Sequence, residues 1–517
     1  MLEEQQNGRI VSSTFSGDGK RLERTFPGGR RIESTFDLID RVHAQSDSTG
    51  VLAEHRWIGQ QHRELARLHS NGTTLTALND ASNQDIGFDA VQRITRQRLL
   101  KGNTALLDRE YSYNRANMRT SEQRHDDGNL ADRYAYDSLY RIARTDLDQG
   151  VNPPTAGQSI QYELDGTGNR RRLTERAVNQ VLTVSNFTVN EMNEYSAIDA
   201  VPQTHSDNGN LLDDGLRTYT YDALNRLIAV ARQSDGVTVT EFAYDTLNRR
   251  RLKTLFRANA PTQIASQTLF FYDRWQICEE QNSAGATEVT YVHSPTGIDN
   301  LLQISRTANH PLGAGSLFFH QNVRDDVIAL TDAAGNMVEK RYYDDFGRSF
   351  DEAKQETSSS QVGNRFGFQG RELDAETGLY YFRNRYYDPQ TGRFIQRDPV
   401  WDPVNVGNSY TFAGNGPVSL QDPLGLNTSQ GSRTQTRTSP APPLPALPGT
   451  EVDPVQTAYS TVRSAVQIAS TAEYAKAGLY GVTQGKDLAK AAEPLMSGAT
   501  ATEVLAVFAS TLRTAAG

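Results

Sequence analysis

One short motif recurs along this chain and restricts its fold more than any other feature: an aromatic residue, Asp, any residue, an apolar residue, any residue, then Arg. It reads "FDLIDR" from Phe36, "FDAVQR" from Phe88, "YDSLYR" from Tyr136, "YDALNR" from Tyr221, "YDTLNR" from Tyr244 and "YDDFGR" from Tyr343. Looser versions stand at "YSYNRANMRT", "YELDGTGNRRR" and "FYDRWQI". The intervals of 52, 48, 85, 23 and 99 residues are uneven multiples of a unit a little over twenty residues long. Such a unit holds two short strands. The aromatic closes the first, the Asp and the Asn or Gly two or three places on shape a turn, and the Arg opens the return strand. "DDGN" at 126–129 and "DNGN" at 207–210 supply further turns, because Asn-Gly tolerates the positive φ of a tight hairpin. Tyr136–Asp137, Tyr221–Asp222, Tyr244–Asp245 and Tyr343–Asp344 are the clearest repeat pairs. Strand alternation places their rings on one side of a common sheet. An unrelated β-solenoid has the same kind of period, so the repeat alone leaves that fold open.

Composition sharpens the expectation. Apolar residues make up 37% of 517, yet Tyr and Phe together number 41 and Gly 40, a mixture suited to strands and turns. With a mean hydropathy of −0.60, a single sheet wetted on both faces is expected, its strands alternating apolar with polar. A net charge of −9 argues against nucleic acid as a partner of the whole chain. Cys278 stands alone, which excludes an intrachain disulfide. The opening "MLEEQQNGRIVSSTFSGDGK" has no apolar core of a signal peptide, and no run approaches the ~18 apolar residues of a membrane span. An export signal is therefore expected outside this sequence. Nine scattered histidines and one cysteine suggest no zinc site, and neither a P-loop nor GxSxG occurs, so no metal or cofactor is expected.

The six repeats lead into "RFGFQGRELDAETGLYYFRNRYYDPQTGRFIQRDP", from Arg365 to Pro399. Together they closely resemble the Rhs/YD-repeat family and its C-terminal Rhs-associated core, over about residues 1–426. The resemblance implies a mainly β fold: a spiralling antiparallel β-sheet shell, partial or complete, that encloses a C-terminal toxin or effector. It divides the chain into a shell over 1–365, a core segment over 366–426 that plugs the shell, a Pro/Ser/Thr-rich linker over 427–450 and a helical C-terminal segment over 451–517. In the plug, Tyr380, Tyr381, Tyr386 and Tyr387 would pack against the wall, while Arg383 and Arg385 pair with acidic strand residues.

Three Asp-Pro pairs come next, headed by Asp398, Asp402 and Asp422. By composition they are turn formers. The resemblance implies more: in many Rhs-type proteins two DPxG segments at this separation contribute an aspartate pair that cuts the chain just after the second. By position that pair is Asp398 and Asp422, and the cut falls between Leu426 and Asn427. The second motif is intact through Pro423, Leu424 and Gly425, but the first has Trp401 where the family usually has Gly. Trp cannot serve a position that needs positive φ, which makes Asp402 a rival to Asp398. Arg397 is the nearest cation in sequence and is expected to hold one carboxylate ionised. Two close carboxylates cannot both ionise cheaply, so one keeps a proton to donate while the other accepts, which is what amide hydrolysis at neutral pH requires. A tethered substrate supplies proximity without a binding step.

Beyond Leu426 the sequence becomes polar and then proline-rich, as an extended linker does. Tyr459, Val462, Val466 and Ala469 then recur at helical spacing, as do Leu505, Phe508 and Leu512. Without His, Cys or Trp, this tail excludes most nuclease, deaminase and cysteine-protease sites. It reads as a small helical cargo or as the opening of a truncated effector. Two functions of different class are compatible with the whole chain: a self-cleaving shell carrying its own C-terminal segment, and a secreted or cell-surface protein for adhesion or carbohydrate binding. A delivery apparatus, an immunity protein or surface glycans are the partners these readings imply.

Overall fold

The repeat aspartate builds each turn. In the computed structural model, Asp222 Oδ1 accepts the N–H groups of Leu224 at 2.9 Å and Arg226 at 3.0 Å, and its Oδ2 accepts Arg226 Nε at 2.7 Å. Asp37, Asp89, Asp137, Asp245 and Asp344 repeat this pattern on their own turns. The residue before each arginine has φ between 60° and 94°, as at Asn225, Asn248 and Gly347, which is why Asn and Gly recur there.

The arginine then fastens its unit to the next. Arg93 Nη1 donates to Asn114 O at 3.0 Å and its guanidinium lies 4.6 Å from the Tyr113 ring. Arg226 reaches Asp245 O and Tyr244, and Arg249 reaches Arg274 O and Tyr272. The next aromatic answers: Tyr113, Tyr244 and Tyr272 donate their hydroxyls to Ile94 O, Leu227 O and Arg250 O, the residue after each arginine. Tyr136, Tyr221 and Tyr343 make the equivalent bond to Arg119 O, Leu211 O and Val327 O, and all three are half-buried. A repeat of two strands thus joins its neighbours by a hydrogen bond in each direction and a cation on a ring, worth ~0.5–2 kcal/mol for the last alone. Asp222→Ala is expected to lower unfolding stability by about 1–3 kcal/mol. Asp222→Asn, which keeps an oxygen for the two backbone N–H groups, should lose less. Urea unfolding of the two variants side by side checks this order.

Residues 2–430 are described, apart from 60–62, 79–85, 152, 153, 156, 180, 259, 401, 406 and 427. The helical segment expected over 451–517, nearly all of the linker, Trp401 and Asn427 lie outside them. Among the described residues, 19 strands form one sheet and 13 a second, every pairing is antiparallel, and the only helical elements are short 3-10 turns. The fold is mainly β, as the repeat predicts.

The chain returns to lie beside itself after roughly one circuit. Gln6 and Tyr272 exchange two hydrogen bonds at 2.7 and 2.8 Å, Arg21 pairs with Asp273 at 2.6 Å, and Asn71 donates to Thr331 Oγ1 at 2.8 Å. These partners are 266, 252 and 260 residues apart. The overlap corrects the expectation of a sheet wetted on both faces. Strands Gln276–Asn282, Thr287–His293, Leu301–Arg306, Gly315–Gln321 and Val327–Thr331 are buried along nearly their whole length. Phe271, Val292 and Leu302 pack against Val11, Phe26, Ile32 and Leu52 of the first circuit. Their neighbours Phe270, Tyr291 and Leu301 face the other way, toward Phe366. Arg31–Phe36 in the first circuit still alternates. Two circuits laid one on the other make a dry layer between wet ones, and whole-chain composition averages the two.

The unit that turns at Asp165 lacks its arginine. It carries Asn169 where Arg is due, and there the later segment supplies the cation. Arg393 donates to Asn169 Oδ1 at 2.7 Å and to Asn193 O of the next turn at 3.0 Å, and lies 3.7 Å from the Tyr195 ring.

Candidate active site in the core segment

Strands Glu372–Asp374, Leu379–Phe382, Arg385–Asp388 and Arg393–Phe394 form a small antiparallel sheet. Its two faces divide the tyrosines. Tyr381 and Tyr386, paired across the strands, pack on Tyr219, Leu227, Val230 and Phe242 of the large sheet. Tyr380, Tyr387, Phe382 and Phe394 face Phe368 and Phe412 instead, with the rings of Tyr387 and Phe412 4.5 Å apart. Charge holds the sheet in place. Arg250, fully buried, pairs with Glu372 and with Asp374 at 2.5 Å, and Lys253 adds a contact to Asp374 at 2.7 Å. Arg383 pairs with Asp299 at 2.6 Å.

A tight hairpin at Arg383 and Asn384, with Arg383 at φ 60°, places three consecutive side chains along the downstream chain. Arg383 Nη1 donates to Pro423 O, Asn384 Nδ2 to Leu424 O at 3.0 Å, and Arg385 Nε to Gly425 O at 2.7 Å. The next carbonyl along is that of Leu426. Gly425 has φ 66°, and a Cβ there would lie 2.5 Å from Phe382 O, so the turn admits only glycine. This is the physical content of the intact second motif.

Arg385 is the centre of the site. Its guanidinium lies 3.6 Å from the Phe394 ring, and its Nη2 stands 2.7 Å from Asp398 Oδ2 and 3.1 Å from Asp422 Oδ2. All three side chains are at most 3% exposed. Asp398 Oδ2 sits off the N–H direction and receives no hydrogen bond, so that contact is electrostatic. Asp398 Oδ1 accepts the Val400 N–H at 2.9 Å. Burial pushes the Asp398 carboxyl up to about 6 against the pull of Arg385, and the charges of Asp422 and Asp402 add to the rise. Burial likewise lowers Arg385, with Asp398 and Asp422 opposing it. Asp422 Oδ1 accepts the Leu426 N–H at 3.0 Å. Two carboxylates, one cation and the backbone on the N-terminal side of the Leu426–Asn427 bond therefore meet at one buried point. Such a cluster can keep one carboxyl protonated and the other ionised beside an amide.

Arg397 does not join them. It pairs with Glu194 at 3.1 Å and with the Tyr410 hydroxyl at 3.1 Å; the cation facing the aspartates is Arg385, for which the family resemblance implies pairing with acidic residues of the strands. Asp402 makes no contact with Arg385 but stands near enough for its charge to act on Asp398; in its own turn, Oδ1 accepts the Val404 N–H at 2.9 Å and Oδ2 the Asn405 amide at 3.3 Å.

A spiral of YD repeats with its core segment docked on the wall defines a YD shell. The chain belongs to the Teneurin YD-shell family, whose model matches residues 60–418. The tRNA3(Ser)-specific nuclease WapA of Bacillus spizizenii is 30% identical over 227 residues, which is 44% of this chain and 9% of that protein. Toxin protein Tse5 of Pseudomonas aeruginosa is 29% identical over 255 residues, 42% of this chain and 18% of the relative. The chain thus matches a small part of the length of these relatives. The TcdB2-TccC3 crystal structure superposes with a TM-score of 0.65 at 18% identity, over 81% of this chain and 21% of that one. The Photorhabdus luminescens Tc holotoxin pore gives 0.66 at 18%, over 85% and 22%. Both share the fold.

Proposed function

We propose that this chain is an Rhs-type encapsulating shell that cuts itself once, between Leu426 and Asn427, and carries the segment beyond as an effector or toxin. The core segment over 366–426 is its plug and its protease. The observation that carries the reading is the convergence of Asp398 and Asp422 on one nitrogen of Arg385, with Asp422 also on the Leu426 N–H. Relatives described as a tRNA nuclease and a toxin support an effector as cargo, and by analogy favour a location outside the cell or at its surface.

In this reading Asp422 takes a proton from water, whose oxygen joins the Leu426 carbonyl carbon. Asp398 gives its proton to the Asn427 nitrogen as the C–N bond breaks, leaving an amine on Asn427 and a carboxylic acid on Leu426, which then gives up its proton to Asp398 to become a carboxylate. Arg385 stabilises whichever carboxylate is charged and, with Arg383 and Asn384, fixes the three carbonyls that precede the reacting one.

The proton on Asp398 makes the rate depend on pH. Asp398 must carry it and titrates at about 6, so the rate should fall about tenfold per pH unit above that value. Refolding urea-unfolded precursor into buffers on either side of it, with cleavage followed on denaturing gels, measures this. A rate that rises with pH would instead make Asp398 the base. A chain that stays at one full-length band under all conditions would support the adhesive reading.

A further inference from the structure

The residues already assigned hold the substrate on one side of the cut only. Arg383, Asn384 and Arg385 grip the carbonyls of 423 to 425, and Asp422 holds the Leu426 N–H. On the far side, the Thr428 N–H donates to Asp402 Oδ2 at 2.8 Å. Asp402 is buried, 6% exposed, and well placed to hold that bond. Its other oxygen is committed to the Val404 N–H, which fixes the carboxylate in its own turn. Just beyond, Ser429–Gln430 pairs antiparallel with Leu420–Gln421, so the chain leaves the cut back along the strand by which it arrived.

We propose that Asp402 is a substrate-positioning residue for the self-cleavage: it anchors the departing side of the bond at Thr428 and thereby sets which peptide bond faces the aspartate pair. The assignment rests on self-cleavage through Asp398 and Asp422. Without Asp402, only the two-residue strand pairing at Ser429–Gln430 would hold the chain downstream, and the peptide between it and Leu426 is freer to rotate about its backbone bonds. The reacting amide would then spend less time in line with the carboxyls. Asp402 also governs release after the cut, because its grip on Thr428 keeps the new amino terminus beside the site. The departing segment then leaves only after that bond breaks. This role differs from that of a second acid: Asp402 touches the substrate backbone two residues past the reacting carbonyl, while Asp398 and Asp422 meet at Arg385.

Two substitutions remove the contact from opposite ends. Asp402→Asn keeps an oxygen for the Val404 N–H, so the local turn survives, and turns an amide donor toward Thr428. Thr428→Pro removes the N–H itself and leaves Asp402 untouched. Each full-length chain is made in a cell-free translation reaction, cleavage is followed with time on denaturing gels, and the new amino terminus is read by mass spectrometry. Each variant is expected to cleave about tenfold more slowly or more, or to show cuts displaced by a residue. The double variant should be no slower than the worse single one, since both lose the same bond. Cleavage of Asp402→Asn at the unaltered rate and position would overturn the inference, as would losses that multiply in the double variant. Cleavage persisting in Asp422→Asn, made alongside, would remove the underlying protease reading instead.

Discussion

Asp422→Asn is expected to leave the purified chain whole at 517 residues, where the unaltered protein should yield a long piece and a 91-residue piece that begins at Asn427. The amide is nearly isosteric and can still accept the Leu426 N–H through one oxygen, so the turn and the fold should persist. What it cannot do is take a proton from water. Asp398→Asn should have the same outcome for the complementary reason, because an amide has no proton to give at neutral pH. Loss of cleavage in both, with an unchanged circular dichroism spectrum, is the expected pair of results. Intact-mass spectrometry decides: a new amino terminus at Asn427 in either variant would dismiss the aspartate pair. An unaltered chain that stays whole would mark a core that keeps the plug and lacks the reaction.

Arg250→Met should have the largest effect on stability. Arg250 is fully buried between the large sheet and the core segment, pairs with Glu372 and Asp374, and faces the rings of Phe242, Phe270 and Tyr381 at 5.2, 5.1 and 4.6 Å. Met fills much of the volume but abandons two buried carboxylates, of which Lys253 can serve only Asp374. Stranding a buried charge costs about 3–5 kcal/mol. The loss should depend on pH with a definite sign. Burial already raises Glu372 against the pull of Arg250 and Arg365, and removing Arg250 raises it further. A carboxyl whose folded value exceeds its unfolded one loses stability as pH rises through that window, so the variant should recover part of its deficit in mild acid. Urea midpoints at neutral and mildly acidic pH measure both the size and the sign; an equal deficit at both would mean Glu372 stays paired without Arg250.

The repeat was legible in sequence because everything it needs is local. Asp222, Asn225 and Arg226 make their turn within five residues, and Arg226 reaches only the next unit. The second Asp-Pro motif was legible for the same reason, since Gly425 is required by its own φ. Arg385 was not, because its role depends on partners 13 and 37 residues away. Nearness in sequence pointed instead to Arg397, and extended backbone sends adjacent side chains to opposite faces. The signal that could have found the site was the hairpin itself: three polar side chains in a row, Arg383, Asn384 and Arg385, are more than a two-residue turn needs. The dry layer between circuits was hidden for another reason. Burial of Phe271, Val292 and Leu302 depends on contacts made some 250 residues apart, and no local pattern reports them.

The missing arginine at Asn169 has a consequence for assembly. A wall made of like units offers the core segment many nearly equivalent berths, and a segment rich in tyrosine and arginine could settle against several of them. Units such as those at Asp137, Asp222 and Asp245, however, already have a guanidinium reaching the next turn, so an incoming cation meets a like charge there. The unit at Asp165 presents an empty socket instead, lined by Asn169, Asn193 O and Tyr195, into which Arg393 fits. An arginine absent from the wall thus becomes a berth for a cation of the core segment itself.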